Sequence, residues 1–512
     1  MKKHVKFLAA AAAVAVSIAA PGAQAGKSND TLTWASDREV NVIDNYYHNV
    51  RETAIMQRMI WDYLLFRDLE SNDYKPLLAT SYKWDGNTSL IFELREGVTF
   101  HDGSTFDADD VVYTFNHVSN PDNAVDTQSN VNWIKNAEKL GDYKVRLNFK
   151  HAFPAALEYI SNNLAIVPEG LYDTAPTKPD GKKDWGKAKP IGTGPYMLAE
   201  SVPGDRVVLK VNKNYFKDSP KGMPTIGTIT FRTIPSAETQ LAEILSGGID
   251  IVWNVPKDSA EKLAMMPNVQ VVNAPLMRIS YLQFDATGAS GNKAMADVRV
   301  RRAISHAVDR AAIAKNLVGG GSIVLKAACL PSQFGCAQDV PQYDYDPAKA
   351  KKLLAEAGYG DGLTLDIYGY RQREYTEAVI GYLDKVGIKA NLKWLQYKAL
   401  RSLVWEGKTP INHMTWGSHS ILDVSASTSH FFTGGRDDMA KDEEVIAWIK
   451  QADGSVDAEE RKALYKKALA KIADQAYWLP MFTYTSNYVF SKDLDFTPTP
   501  DGFPPLFAAS WK

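Results

Sequence analysis

Cysteine is nearly missing from this chain: two in 512 residues, Cys329 and Cys336, both within "CLPSQFGC". The pair lacks C-x-x-C spacing and a nearby histidine, which disfavours a metal or redox role and leaves a local disulfide in an oxidising compartment as the expectation. Histidine is scarce too, nine in all, so a metal cluster would have to be assembled from distant positions. There is no long Lys/Arg run and the formal charge is only -2, which makes nucleic acid a poor partner. Beyond the first 25 residues no apolar run approaches the roughly 20 that a membrane-spanning helix needs. Catalytic signatures are missing as well: no H-E-x-x-H, no G-x-x-x-x-G-K-[ST], no G-x-S-x-G. In "PIGTGPYML" the proline after Gly194 removes an N–H that a phosphate cradle would use. No cofactor, metal or catalytic residue is expected from these patterns.

What is present begins with an export signal. "MKKHVKF" is a positive n-region, "LAAAAAVAVSIAA" a short apolar core, and "AQA" (Ala23 to Ala25) a small-x-small cleavage pattern. Residues 1–25 read as a signal peptide and the mature chain as a periplasmic protein, with no cysteine at the cleavage point for lipid attachment. Without Lys2, Lys3 and Lys6, 55 basic side chains face 60 acidic ones, a net charge of -5.

Strand and helix signals then alternate, which predicts an α/β fold. "TLTWAS" and "YLLFRDL" read as strands, with a helical stretch between them carrying Ile55 and Met59. "SAETQLAEILSGGIDIVWNV" reads as a helix closed by Gly247 and Gly248, followed by a buried strand. Later helices announce their caps: Asp297, Asp309, Asp346 followed by Pro347, and an Asp457/Glu460 capping box. The stretch "FHDGSTFDADD", with a histidine and four aspartates in eleven residues, invites a metal reading. A DG turn at Asp102 and Gly103, then Asp107 at an N-cap with Asp110 three residues on, accounts for it locally.

Four blocks in order, "LREGVTFHDGSTFDADDVVYTF", "PIGTGPYMLAESVPGDRVVLKVNKNYF", "DVRVRRAISHAVDRAAIAKNLVGGG" and "YDPAKAKKLLAEAGYGDG", resemble the family 5 extracytoplasmic solute-binding proteins, the peptide, oligopeptide and nickel group of ABC importers. The resemblance implies a two-lobed periplasmic binding protein of type II, cluster C-like, with a hinge. Lobe I would span 26–282 with an extra subdomain at about 68–189, lobe II 283–481, and 482–512 would return to lobe I. The crossings are expected near "YLQFDA" and "WLPMFT". It further implies a monomer that closes on a small-molecule ligand, a peptide or peptide-like solute, and delivers it to ABC permease subunits.

In peptide-binding relatives a Trp-x-x-Asp segment supplies an aspartate for the peptide's amine. The matching segment here is "MTWGSHSILDVSAS": Trp416 matches, His419 stands at the aspartate position, and Asp423 is the nearest carboxylate. Arg371 and Arg373 in "YGYRQREY" are candidates for a carboxylate or phosphate on the ligand. Tyr46, Tyr47 and His48 in "DNYYHNV" and Trp253 after "GIDIV" are candidates for the first lobe's wall. The His419 departure keeps a non-peptide solute such as an opine or sugar conjugate open; a nickel chelate and an exported hydrolase stand further back.

Overall fold

The computed structural model describes residues 25–68, 71 and 73–512, the side chains of Ser129 and His419 excepted. The leader expected at 1–25, Ala25 aside, lies outside the described residues.

A ten-stranded sheet runs through the molecule in the order Ile388–Trp394, Leu363–Gly369, Ile411–Trp416, Val269–Phe284, Trp478–Ser491, Ile251–Val252, Thr31–Ser36, Thr228–Thr233, Arg206–Val211 and Tyr196–Val202. Its middle is an antiparallel pair of long strands, Val269–Phe284 and Trp478–Ser491. To one side Leu363–Gly369 runs parallel to both its neighbours, with helix Arg373–Asp384 as a crossover. To the other, Thr31–Ser36 runs parallel to Thr228–Thr233 and Ile251–Val252, which helix Ala237–Ser246 connects. Parallel strands need such crossovers, which bury both sheet faces under helices.

The apolar cores divide the chain into two lobes. Ala274 and Tyr488 pack with Trp34, Ile229 and Phe507 in the first lobe, whereas Met277 and Trp478 pack with Leu400, Phe431 and Tyr465 in the second. On the long strands the change of core falls between Ala274 and Met277 and between Tyr484 and Tyr488. That is a few residues ahead of Tyr281 in the first strand and just past Thr483 in the second. The long strands lose register between Pro275 and Ile279, a bulge that bends the pair where the lobes part. A separate core under the four-stranded sheet Ala79–Trp84, Ser89–Leu94, Lys144–Phe149 and Ile134–Gly141 forms the extra subdomain, with Val111, Phe115 and Val118 of helix Ala108–Ser119 against it.

Capping follows the sequence closely. Asp107 accepts from the Asp109 N–H and Asp110 accepts from the Asp107 N–H, a reciprocal box worth about 1 kcal/mol for the cap alone. Asp346 caps Pro347–Glu356, and Gly247 ends its helix in the left-handed region. Asp457 caps its helix through the Glu459 and Glu460 N–H groups, but the Glu460 carboxylate accepts from Ser455 and Gln451, so the box expected there is one-sided. Cys329 and Cys336 form a disulfide.

Candidate functional site

Parallel strands leave their carboxyl ends clear of the crossover helices, and ligand crevices form there. In this chain the carboxyl ends of parallel strands from both lobes open onto one cavity of about 490 Å³, within the range of small-ligand sites. Arg38 follows Thr31–Ser36; Tyr370 and Arg371 follow Leu363–Gly369; Gly417 and Ser418 follow Ile411–Trp416. Arg278 enters from the bulge in the long strand and Arg51 from the start of helix Arg51–Ile60, while Asp501 and Phe503 come from the C-terminal segment.

Four arginines, Arg38, Arg51, Arg278 and Arg371, thus line a cavity whose single lining carboxylate among the described residues is Asp501. Arg51 Nη1 donates to the Gly502 carbonyl at 2.7 Å, and its guanidinium lies 5.8 Å from the Phe503 ring centre. Arg278 Nη1 donates to Thr415 Oγ1 at 2.9 Å, which also contacts the Tyr370 hydroxyl at 2.9 Å. Two glycines make room for these heads. A Cβ at Gly502, where φ is +74°, would lie 2.7 Å from Arg51 Nη1, and one at Gly417 would lie 3.0 Å from Arg278 Nη2. Burial lowers the Arg278 guanidinium below its ordinary value, and the charges of Arg371 and Arg51 lower it further. Burial also lowers Arg51; Glu52 and Asp501 partly offset this while Arg371 adds to it. Tyr370, Tyr397 and Trp416 supply an aromatic wall on the second lobe.

The seam between the lobes continues beside this cavity in a different style. Arg67 Nη1 donates to Glu158 Oε2 at 2.7 Å and to the Ser420 carbonyl at 2.6 Å, and the Leu422 N–H donates to the same Glu158 oxygen at 2.7 Å. Ser420 Oγ donates to the Asp501 carbonyl at 3.0 Å. A buried ion pair of the first lobe therefore holds the main chain of the second. Asp501 meets Arg58 at 2.6 Å and Arg67 at 3.9 Å. Burial alone would raise its carboxyl, but the charges of Arg58 and Arg67 hold it below the usual range.

The residues expected from sequence divide sharply. Arg371 and Trp416 line the cavity. Trp416 Nε1 donates to the Ala426 carbonyl and its ring stacks on His430 at 4.5 Å. His419 lies in the short turn Ser418–Ser420 that borders the cavity, and its side chain lies outside the described residues. The remaining candidates are not among the residues that line it. Asp423 is buried on Arg461 Nη2 at 2.9 Å and accepts from Ser425, so it is spoken for by the second lobe's own core. Arg373 is exposed and pairs with Glu377 at 2.7 Å. Tyr46 is buried with its hydroxyl donating to the Ala165 carbonyl. Tyr47 bonds His117 Nε2 at 2.7 Å inside an aromatic group with Tyr172, and burial pushes His117 down to about 4. His48 lends its carbonyl to Thr53, and Trp253 packs on Trp34 at 5.3 Å in the first lobe's core.

Arg38, Arg51, Arg278 and Asp501 line the cavity without having been candidates, and two of them, Arg51 and Arg278, do leave a trace in the sequence. A cation in the first turn of a helix opposes the helix dipole, so Arg51 is out of place for stability. Arg278 interrupts the apolar run "APLMRISYLQF", where a buried strand would have no use for a charge.

A family model described as bacterial extracellular solute-binding proteins, family 5 middle, matches residues 73–438. The chain is 26% identical over 444 residues to the heme-binding protein A of Haemophilus influenzae, covering 80% of this chain and 79% of that one. It is 26% identical over 481 residues to the oligopeptide-binding protein AppA of Bacillus subtilis, covering 89% and 86%. The ABC transporter substrate binding protein CtaP of Listeria monocytogenes superposes with a TM-score of 0.83 at 23% identity, covering 95% of this chain and 99% of that one. With a two-lobed fold, a crevice walled by both lobes and a family match over most of its length, the chain belongs to the bacterial extracellular solute-binding proteins of family 5.

Proposed function

We propose that this protein is the periplasmic substrate-binding component of an ABC importer and captures a short peptide or peptide-like solute between its lobes. The observation that carries this reading is the 490 Å³ cavity with walls from both lobes in a chain of this family. A ligand touching both lobes has higher affinity for the closed arrangement and shifts the population toward it. The two long strands around Pro275–Ile279 and Thr485–Asn487 would absorb the motion, since few residues need change there. The closed face would then be presented to the permease, and no covalent step is required. AppA and CtaP, described as oligopeptide-binding and as an ABC transporter substrate binding protein, support this reading.

Native mass spectrometry of the protein as purified, followed by thermal shift with di- to pentapeptides, tests it. A retained peptide-like molecule, or stabilisation of several degrees by a subset of peptides, is expected. A retained solute of another class, or no shift with any peptide, would reject the peptide reading.

A further inference from the structure

The reading above leaves the ligand's chemistry open, and the cavity's charge narrows it. Among the described residues, Arg38, Arg51, Arg278 and Arg371 form no ion pair with any protein carboxylate, although all four line one cavity. Two of them, Arg51 and Arg278, are held in place by a carbonyl and a hydroxyl, so their heads are oriented in advance. Arg51 and Arg278 are half-buried, whereas Arg38 and Arg371 are exposed at the rim. Holding the two half-buried charges together costs free energy unless an anion offsets it, and arginine's planar fork suits a carboxylate bonded through both oxygens. The two anchored heads come from different places: Arg51 from a helix of the first lobe, Arg278 from the bulge where the lobes join.

The site offers a cation the reverse of a welcome. Asp501 is buried beneath Arg58 and Thr499, with Oδ2 2.6 Å from Arg58 and Oδ1 2.6 Å from the Thr499 hydroxyl. Asp423 is bound to Arg461. Neither carboxylate is left to pair with a ligand ammonium.

We infer that the cleft selects a compact organic polyanion, a molecule with two or more separated carboxylates, and does not anchor a free amine. This rests on the solute-binding reading but not on the ligand being a peptide. One carboxylate sits between Arg51 and Arg278, a second reaches Arg371 or Arg38, and the segment joining them lies on Tyr370 and Tyr397.

The test is titration calorimetry on the full chain with four probe sets: acidic di- and tripeptides, the same peptides with every carboxylate amidated, the same peptides N-acetylated, and non-peptide di- and tricarboxylates. Amidation is expected to cost about a hundredfold in affinity and acetylation less than about threefold, because removing one partner of a desolvated charge pair costs far more than removing an unused group. Arg278→Met should cost about a hundredfold for the acidic probes, while Arg373→Ala, outside the cavity, leaves them unchanged. Amidated or basic peptides binding as tightly as acidic ones, or acetylation abolishing binding, overturns the inference while sparing the solute-binding reading. Non-peptide polycarboxylates binding where peptides fail upholds the inference and rejects the peptide reading. Failure of all four sets overturns both.

Discussion

Arg58 and Arg67 reach the buried Asp501 carboxylate at 2.6 and 3.9 Å, and Arg67 also holds Glu158 at 2.7 Å. Arg51 and Arg278 line the cavity that Asp501 borders, yet among the described residues the hydrogen bonds of their heads go to a carbonyl and a hydroxyl. The first pair is answered by protein carboxylates; Arg67 bonds across the seam to the Ser420 carbonyl, and its partner Glu158 accepts from the Leu422 N–H. Among the described residues the second forms no ion pair, although Glu52 and Asp501 act on Arg51 from a distance. Charge satisfied within the fold stabilises the joined lobes; charge left over marks a candidate binding site. On the reading proposed above, one seam carries a latch and a receptor side by side.

Arg67→Met leaves the Glu158 carboxylate buried without its cation, and chemical denaturation should show a loss of about 3–5 kcal/mol. An unchanged unfolding midpoint would mean that the pair contributes nothing to the latch. Arg278→Met should do the opposite: about 2–4 kcal/mol of ligand affinity lost by calorimetry, with apo stability unchanged or raised because a half-buried charge repelled by its neighbours is gone. Asp423→Asn, which strips Arg461 of its carboxylate, should lower stability by about 1–3 kcal/mol and leave ligand affinity within about twofold. A large affinity loss there would restore Asp423 as a ligand contact. The smallest effect concerns pH. Asp501 titrates below its unfolded value of about 3.9, so its contribution is complete above that pH and is lost as pH falls through the lowered folded value. Between pH 5 and pH 3 the melting temperature of wild type should therefore fall more steeply than that of Asp501→Asn.

Local chemistry was legible in the sequence; partners remote along the chain were not. Asp107, Asp346 and Gly247 act on groups within a turn of themselves, and each was readable from its neighbours. The ordered blocks identified the family, and with it the two lobes. The site was legible only at Arg371 and Trp416, because the fate of a polar side chain depends on what the fold brings to it. Asp423 looked free until Arg461, 38 positions on, claimed it. Tyr46 looked like a wall residue until Ala165, 119 positions on, accepted its hydroxyl. Glu158 sits 91 positions from Arg67 and 264 from Leu422, so no window of sequence could show the latch. Arg51 and Arg278 were visible in principle as charges placed against the local rule.

The most direct measurement pairs calorimetric affinity for an acidic peptide with apo melting temperature across wild type, Arg67→Met and Arg278→Met. Arg278→Met is expected to lose about a hundredfold in affinity at an unchanged or higher melting temperature, while Arg67→Met melts several degrees lower. Arg278→Met melting several degrees lower with its affinity intact would contradict the division of the seam into latch charge and ligand charge.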